Sequence, residues 1–452
     1  MSSLRIGNGC GFWGDNLDAP ILLARYGNLR YLTLEYLAEL TMSILALQKQ
    51  KDPKAGYAAD FLNVLSRLGP ELQTQPQLKI ITNAGGMNPT ACAHRAQEIL
   101  RKQGSSRRLA SVEGDDLLPR LDEILAHGEL LANLDTGEPL AGIRGRVVSA
   151  NAYLGAGPIV EALQHGADIV ITGRVADASL TVAPAVHEYG WDWQDWDRLA
   201  SATVAGHLIE CGAQVTGGLW CHWQEAANLG DVGYPFVDLL PDGSFVVSKP
   251  AGSGGAVNLE TVSEQLLYEV ADPAAYFTPD VVADFTSIQL TQHGPVAVHV
   301  SPARGLPATD TYKVSIAYRD GYSASGTLVL LGPDAAAKAK LCGKMIFERL
   351  ERAGVVCERK NIEVLGTGAC VPGVLSAGST ANPLEVVLRV SVQDSRKEAV
   401  ERFTKELAPL VTSGTPGVTG YTTGRPAVRE VFAYWPALVQ KHLVESRVSL
   451  LP

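Results

Sequence analysis

The strongest constraint on how this chain folds is a rhythm. Up to about residue 218, short apolar runs that end in small and polar residues alternate with stretches of helical periodicity. The runs fall at 4–6, 31–34, 78–82, 109–112, 147–150 and 167–172. The helical stretches between them include 91–102, 117–127 and 157–165, two of them followed by the stop signals Gly104 and Gly166. A strand that reaches its neighbour only through a helix must pair with it in parallel, so the pattern predicts a mostly parallel sheet covered by helices. An open sheet and a distorted barrel both satisfy it.

The residues just after each run point to function. In order the run ends read "GNGCGFWGDN", "EYLAE", "TNAGGMNP", "EGDD", "ANAYLGAGP" and "TGRVADASL". Ligands of α/β folds sit at the carboxyl ends of the strands. One loop rich in Gly, Asn and Asp says little, because these are ordinary turn residues. A whole series of them predicts one shared pocket.

Past residue 219 the texture changes. "VDLLPDGSFVVSKP" and "YKVSIAYRDGYSASGTLVLLG" are hairpin signals. A helix at about 334–353, strands near 362–365 and 384–392, and a helix at 396–410 complete an α+β pattern with antiparallel strands. The expected organisation is therefore an α/β domain over 1–218 carrying the site loops, and an α+β domain over 219–452 packed on it.

Composition removes several function classes. The net charge of -10, without a Lys/Arg block, argues against a nucleic-acid partner. No stretch approaches the roughly 18 apolar residues of a membrane span, and the start lacks a signal-peptide pattern, so a cytoplasmic protein is expected. The seven cysteines are scattered, with neither a C-x-x-C nor a zinc spacing, and read as reduced thiols.

The opening loop contains G-x-G-x-x-G at Gly9, Gly11 and Gly14, the spacing of a dinucleotide cradle. Phe12 and Trp13 are bulky where the backbone would have to approach a phosphate, and Asp15 places a negative charge at the next helix start. The loop reads instead as a support for Asn8, Asp15 and Asn16. Across the strand ends, Asp15, Glu113, Asp177 and His207 are the acid/base candidates. Glu35 and Glu39 close the second run. Asn8, Asn16, Asn83, Asn88 and Asn151 are candidate donors to substrate oxygens. Arg174 is a candidate carboxylate clamp, with a structural ion pair to Asp177 as the other reading. Lys249, Ser253 and Gly254 in "KPAGSGG" suit a phosphate or acyl-carrier headgroup. Glu113, Asp115 and Asp116 are the candidate ligands of a hard divalent cation such as Mg²⁺, with helix capping as the alternative for Asp116.

The ordered set "IGNGCGFWGDN", "ITNAGGMNP", "VEGDD", "ANAYLGAGPIVEAL", "DIVITGRVADASL", "HLIECGAQVTGG" and "KPAGSGG" resembles the acyclic terpene utilisation family that carries the AtuA label, over about residues 4–445. The resemblance implies a catabolic protein acting near acyl-CoA intermediates, alongside acyl-CoA carboxylases and enoyl-CoA hydratases. The paired H-x-H metal ligands of hydroxymethylglutaryl-CoA lyases are missing, so a metal here would need carboxylate ligands. The resulting expectation is a lyase or hydro-lyase acting on a branched carboxylic acid or its CoA thioester, assembled as a homo-oligomer. A non-catalytic partner subunit of a carboxylase or hydratase and a thioesterase are the alternatives.

Overall fold

The computed structural model describes residues 3–374, 383–420 and 424–451. The chain forms two compact units: 1–317 together with 434–452, and 318–433.

The first unit is built on a ten-stranded sheet. Its centre is formed by β1 (Leu4–Asn8), β2 (Tyr31–Leu34), β3 (Lys79–Thr82), β4 (Leu109–Glu113) and, after β5 (Val147–Ala152), β6 (Ile169–Thr172). These strands pair in parallel in the order β1-β2-β3-β6-β4. Every residue of β2 and β6 is buried, as expected for strands covered on both faces. The fifth apolar run leaves this sheet: β5 pairs with the strand Thr311–Leu331, and the Tyr153 amide just beyond it donates to the Lys313 carbonyl at 2.9 Å.

On the outer side of β1, the hairpin of β7 (Phe236–Leu239) and β8 (Phe245–Ser248) adds antiparallel strands, followed by Ala297–Val300 and Leu290–Gly294. Arg447–Leu451 adds antiparallel to β4 at the opposite edge. Among the described residues the sheet is therefore open, and no closed barrel forms. The change of texture at residue 219 marks a switch from parallel to antiparallel pairing within one sheet. The compact units divide instead at 317/318 and 433/434, because the β7/β8 hairpin hydrogen-bonds directly to β1.

The helix Trp196–Glu210 is buried at every position from Leu199 to Ile209. Such a helix runs through a core rather than over it. Its start is capped by Asp195, and its C-terminal end meets the loop after β1. Gly11 permits that meeting, since a Cβ there would lie 2.8 Å from the Cys211 carbonyl carbon.

The second unit carries an antiparallel sheet. Glu385–Asp394 lies between Arg359–Leu365 and the later part of Thr311–Leu331, with Ile362 opposite Val390 and Leu328 opposite Leu388. The helix Ala335–Arg352 packs its Ala339, Cys342, Ile346 and Leu350 face into this unit's core. No helix among the described residues is long and apolar enough to cross a membrane.

Candidate functional site

The loops after β1, β2 and β6, together with the end of helix Trp196–Glu210, meet in the first unit around two adjoining cavities of about 530 and 410 Å³. Both are lined by Glu39, Asp177, Glu210 and Glu269, so they form one cleft with an acidic waist.

Arg174 organises its floor. It follows β6 and is 2% exposed. Its Nη2 donates to Asp177 Oδ1 and its Nη1 to the Leu37 carbonyl, both in close contact. The guanidinium lies 4.2 Å over the Tyr153 ring. The Arg174–Asp177 pair foreseen as a structural reading is therefore present, and the arginine's charge is committed to holding Asp177. Asp177 itself keeps 36% of its side chain open to the cleft. Burial, opposed by Arg174 and reinforced by Glu210 and Glu39, pushes its pKa up to about 7.

Glu39 opens the helix Glu39–Lys51, where the helix dipole favours a carboxylate. Its Oε1 accepts from Tyr153 Oη at 2.9 Å and from Lys313 Nζ at 3.4 Å. Burial works against its ionisation, but its own backbone amide, Lys313 and Arg174 prevail and hold its pKa below the usual value. Two carboxyl groups on one cleft are thus pushed in opposite directions, the arrangement that separates an acid from a base.

Behind them sits Glu35, 4% exposed. One carboxylate oxygen accepts from the Leu37 amide at 2.8 Å and from the Asn83 amide group, while the other has no partner among the described residues. Burial and the nearby Asp177 charge raise its pKa. His207 lines the larger cavity. Its Nε2 faces the Gln265 carbonyl at 3.0 Å and its Nδ1 lies 3.3 Å from Glu210 Oε1. Burial lowers its proton affinity, but Glu210 and the two carbonyls of Gln265 and Leu266 outweigh it and raise the His207 pKa above the usual value.

The asparagines act mainly on other protein groups. Asn8 donates to the carbonyls of Ile209 and Glu210 at 2.8 Å each, closing the helix that presents Glu210. Asn83 orients Glu35. Asn151 donates to Asp115 at 2.8 Å. Asn88 caps the helix Pro89–Lys102 and holds the carbonyls of Pro53 and Ala55. Asp15 accepts from the Gly11 and Asn16 amides and from Tyr234 Oη at 2.6 Å, so it knits its own loop together on the wall of the smaller cavity.

Three further sequence candidates turn away from one another. Glu113 accepts from Thr90 and pairs with Arg447 on the edge strand. Asp115 is buried against the Arg174 amide and Asn151. A Cβ on Gly173 would lie 2.2 Å from its Oδ1, which is why that position is glycine. Asp116 accepts from the Leu118 amide. Among the described residues, no group of three or more His, Cys, Asp or Glu side chains is placed to hold a metal ion. Lys249 donates to the Ser253 carbonyl at 2.6 Å, within its own loop. Ser253 and Asn16 line a separate hollow of about 250 Å³, and the Gly254 amide bonds to the Asp231 carbonyl.

A family model described as acyclic terpene utilisation family protein AtuA matches residues 4–450. The chain belongs to the AtuA family. Membership indicates a role in acyclic terpene utilisation. No curated protein and no solved structure gives a significant match. Within this AtuA-family chain, sequence reasoning placed Asp177, His207 and Arg174 at the site and noted Glu35 and Glu39 at a strand end. It missed Tyr153, Lys313, Tyr276 and Glu269. Tyr153 lies inside a strand-end loop, "ANAYLGAGP", and that was its available signal. Lys313 carried none, since only strand pairing brings it near β5.

Proposed function

We propose that this AtuA-family protein is a hydro-lyase that adds water to, or removes it from, the branched carbon of a carboxylic acid or its CoA thioester. The observation that carries the reading is the pair Asp177 and Glu39. They share one cleft, with the first favoured as proton donor and the second as ionised acceptor. Around them the larger cavity presents Leu134, Phe277, Pro279 and Leu438, a wall suited to a branched hydrocarbon chain.

In dehydration, Asp177 gives its proton to a tertiary hydroxyl, and the C–O bond breaks to release water. Positive charge grows on the branched carbon, where the carboxylates of Glu39 and Glu210 and the ring face of Tyr276 stabilise it. Glu39 then takes a proton from the adjacent carbon, which leaves the alkene. Hydration runs the same steps backwards. Asp177 ends ionised and Glu39 protonated, and exchange with solvent resets them. Arg174 aims the Asp177 carboxyl throughout.

Asp177→Asn keeps the shape and the contact to Arg174 but cannot pass on a proton. Exchange between a branched hydroxy acid and its alkene should fall by roughly 10²- to 10⁴-fold, with the fold intact by circular dichroism. Undiminished turnover in that variant rules the assignment out.

A further inference from the structure

Two kinds of substrate remain in that reading, a free acid and a thioester, and the charge distribution of the cleft separates them. Among the described residues lining the larger cavity, Lys313 is the one lysine or arginine. Its side chain is 43% exposed. Its ammonium lies 4.8 Å over the Tyr153 ring and 3.4 Å from Glu39 Oε1. The same ring carries Arg174 at 4.2 Å, and the ammonium lies between the ring and the Glu39 carboxylate. An ammonium has three N–H donors. The contact to Glu39 is long and engages one of them, and Tyr434 engages a second, which leaves a donor for a ligand.

The rest of the cleft disfavours a polyanion. Glu39, Asp177, Glu210 and Glu269 line both cavities, and Asp15 lines the smaller one. The loop lysine that the sequence suited to a phosphate or acyl-carrier headgroup, Lys249, bonds to its own loop instead. A neutral thioester carbonyl has no need of a fixed cation, whereas a single carboxylate does.

On the hydro-lyase reading, we infer that Lys313 anchors the substrate's own carboxylate, and that the substrate is a free branched β-hydroxy monocarboxylic acid rather than a CoA thioester. Lys313 and Tyr153 Oη meet the same oxygen of Glu39, so a carboxylate held by Lys313 lies beside the proton acceptor; its α carbon is then the one that gives Glu39 a proton, which puts the leaving hydroxyl on the β carbon. The alkyl branch then lies toward Leu134, Phe277 and Leu438.

The test is binding, read by calorimetry on the full chain. The ligands are β-hydroxy-β-methylbutyrate, its primary amide and its N-acetylcysteamine thioester. The wild type should bind the acid about tenfold more tightly than either neutral form, as a charge-assisted contact implies. Lys313→Gln should bring the three ligands to within about threefold of one another, and Lys313→Arg should keep the preference. An acid preference that survives in Lys313→Gln, or a wild type that binds the thioester as tightly as the acid, overturns the inference. Because no turnover is needed, a protein that shows the lysine-dependent preference but no water addition fails the hydro-lyase reading alone.

Discussion

Replacing Arg174 by methionine tests the electrostatic core of the site. The side chain is 2% exposed, so its charge is removed from a place where solvent cannot substitute for it. Methionine fills much of the same volume, which makes the lost charge the main perturbation. The Leu37 carbonyl loses a donor, at a cost of about 1–3 kcal/mol for a buried acceptor. Asp177 loses its counter-charge and Tyr153 loses the cation on one ring face. Breaking a fully buried pair by removing one member typically costs about 3–5 kcal/mol; Asp177 is 36% exposed and can take up a proton, so the expected loss here is about 2–3 kcal/mol. The assay is urea denaturation at neutral pH of the wild type, Arg174→Met, Asp177→Asn and the double variant. Since part of the loss is the unpaired Asp177 carboxyl, which must take up a proton once Arg174 is gone, the double variant should be more stable than the two single losses added together by about 1–3 kcal/mol. A loss below about 1 kcal/mol in Arg174→Met, or strict additivity in the cycle, would refute the claim that this guanidinium exists to hold Asp177.

Asn8→Ala removes both bonds to the end of helix Trp196–Glu210; it should cost about 1–3 kcal/mol in denaturation and lower turnover by disordering Glu210. Glu113→Gln, by contrast, disrupts a pair whose arginine is 74% exposed, and stability should change by less than about 1 kcal/mol with turnover unaffected. Asp115 is held at a pKa of about 7, mainly by burial, against a usual value of 3.8. The unfolded chain gives up that proton first, so Asp115 should subtract stability progressively as pH rises from about 4 to about 7. Asp115→Asn should flatten that part of a pH series of denaturation midpoints, and an unchanged slope would contradict the assignment.

Much of the frame was legible because it depends on local pattern. Strand, helix and helix-stop signals repeat every few tens of residues, and all six apolar runs are strands. The fifth could not be assigned to its sheet. Its partner, Thr311–Leu331, lies some 160 residues later, and no local periodicity encodes that pairing. The same limit applied to the site. Asp177 and Arg174 were visible together because they are three residues apart on one loop, whereas the partners of Glu113 and Asp15, Arg447 and Tyr234, come from distant parts of the chain.

The sequence by itself determined the α/β class, the loops at the carboxyl ends of the strands that line the candidate cleft, and the supply of acids and amides found there. Hydrophobic period, turn residues and strand ends are properties of neighbouring residues. The tertiary structure decided which acids are free to act. Asp15, Glu113 and Asp115 are drawn into bonds with groups far along the chain, and the asparagines face other protein groups. Asp177 and Glu39 remain on the cleft, with opposite shifts set by Arg174, Lys313 and burial. A carboxylate's proton affinity depends on what surrounds it in space, and only the folded chain specifies that.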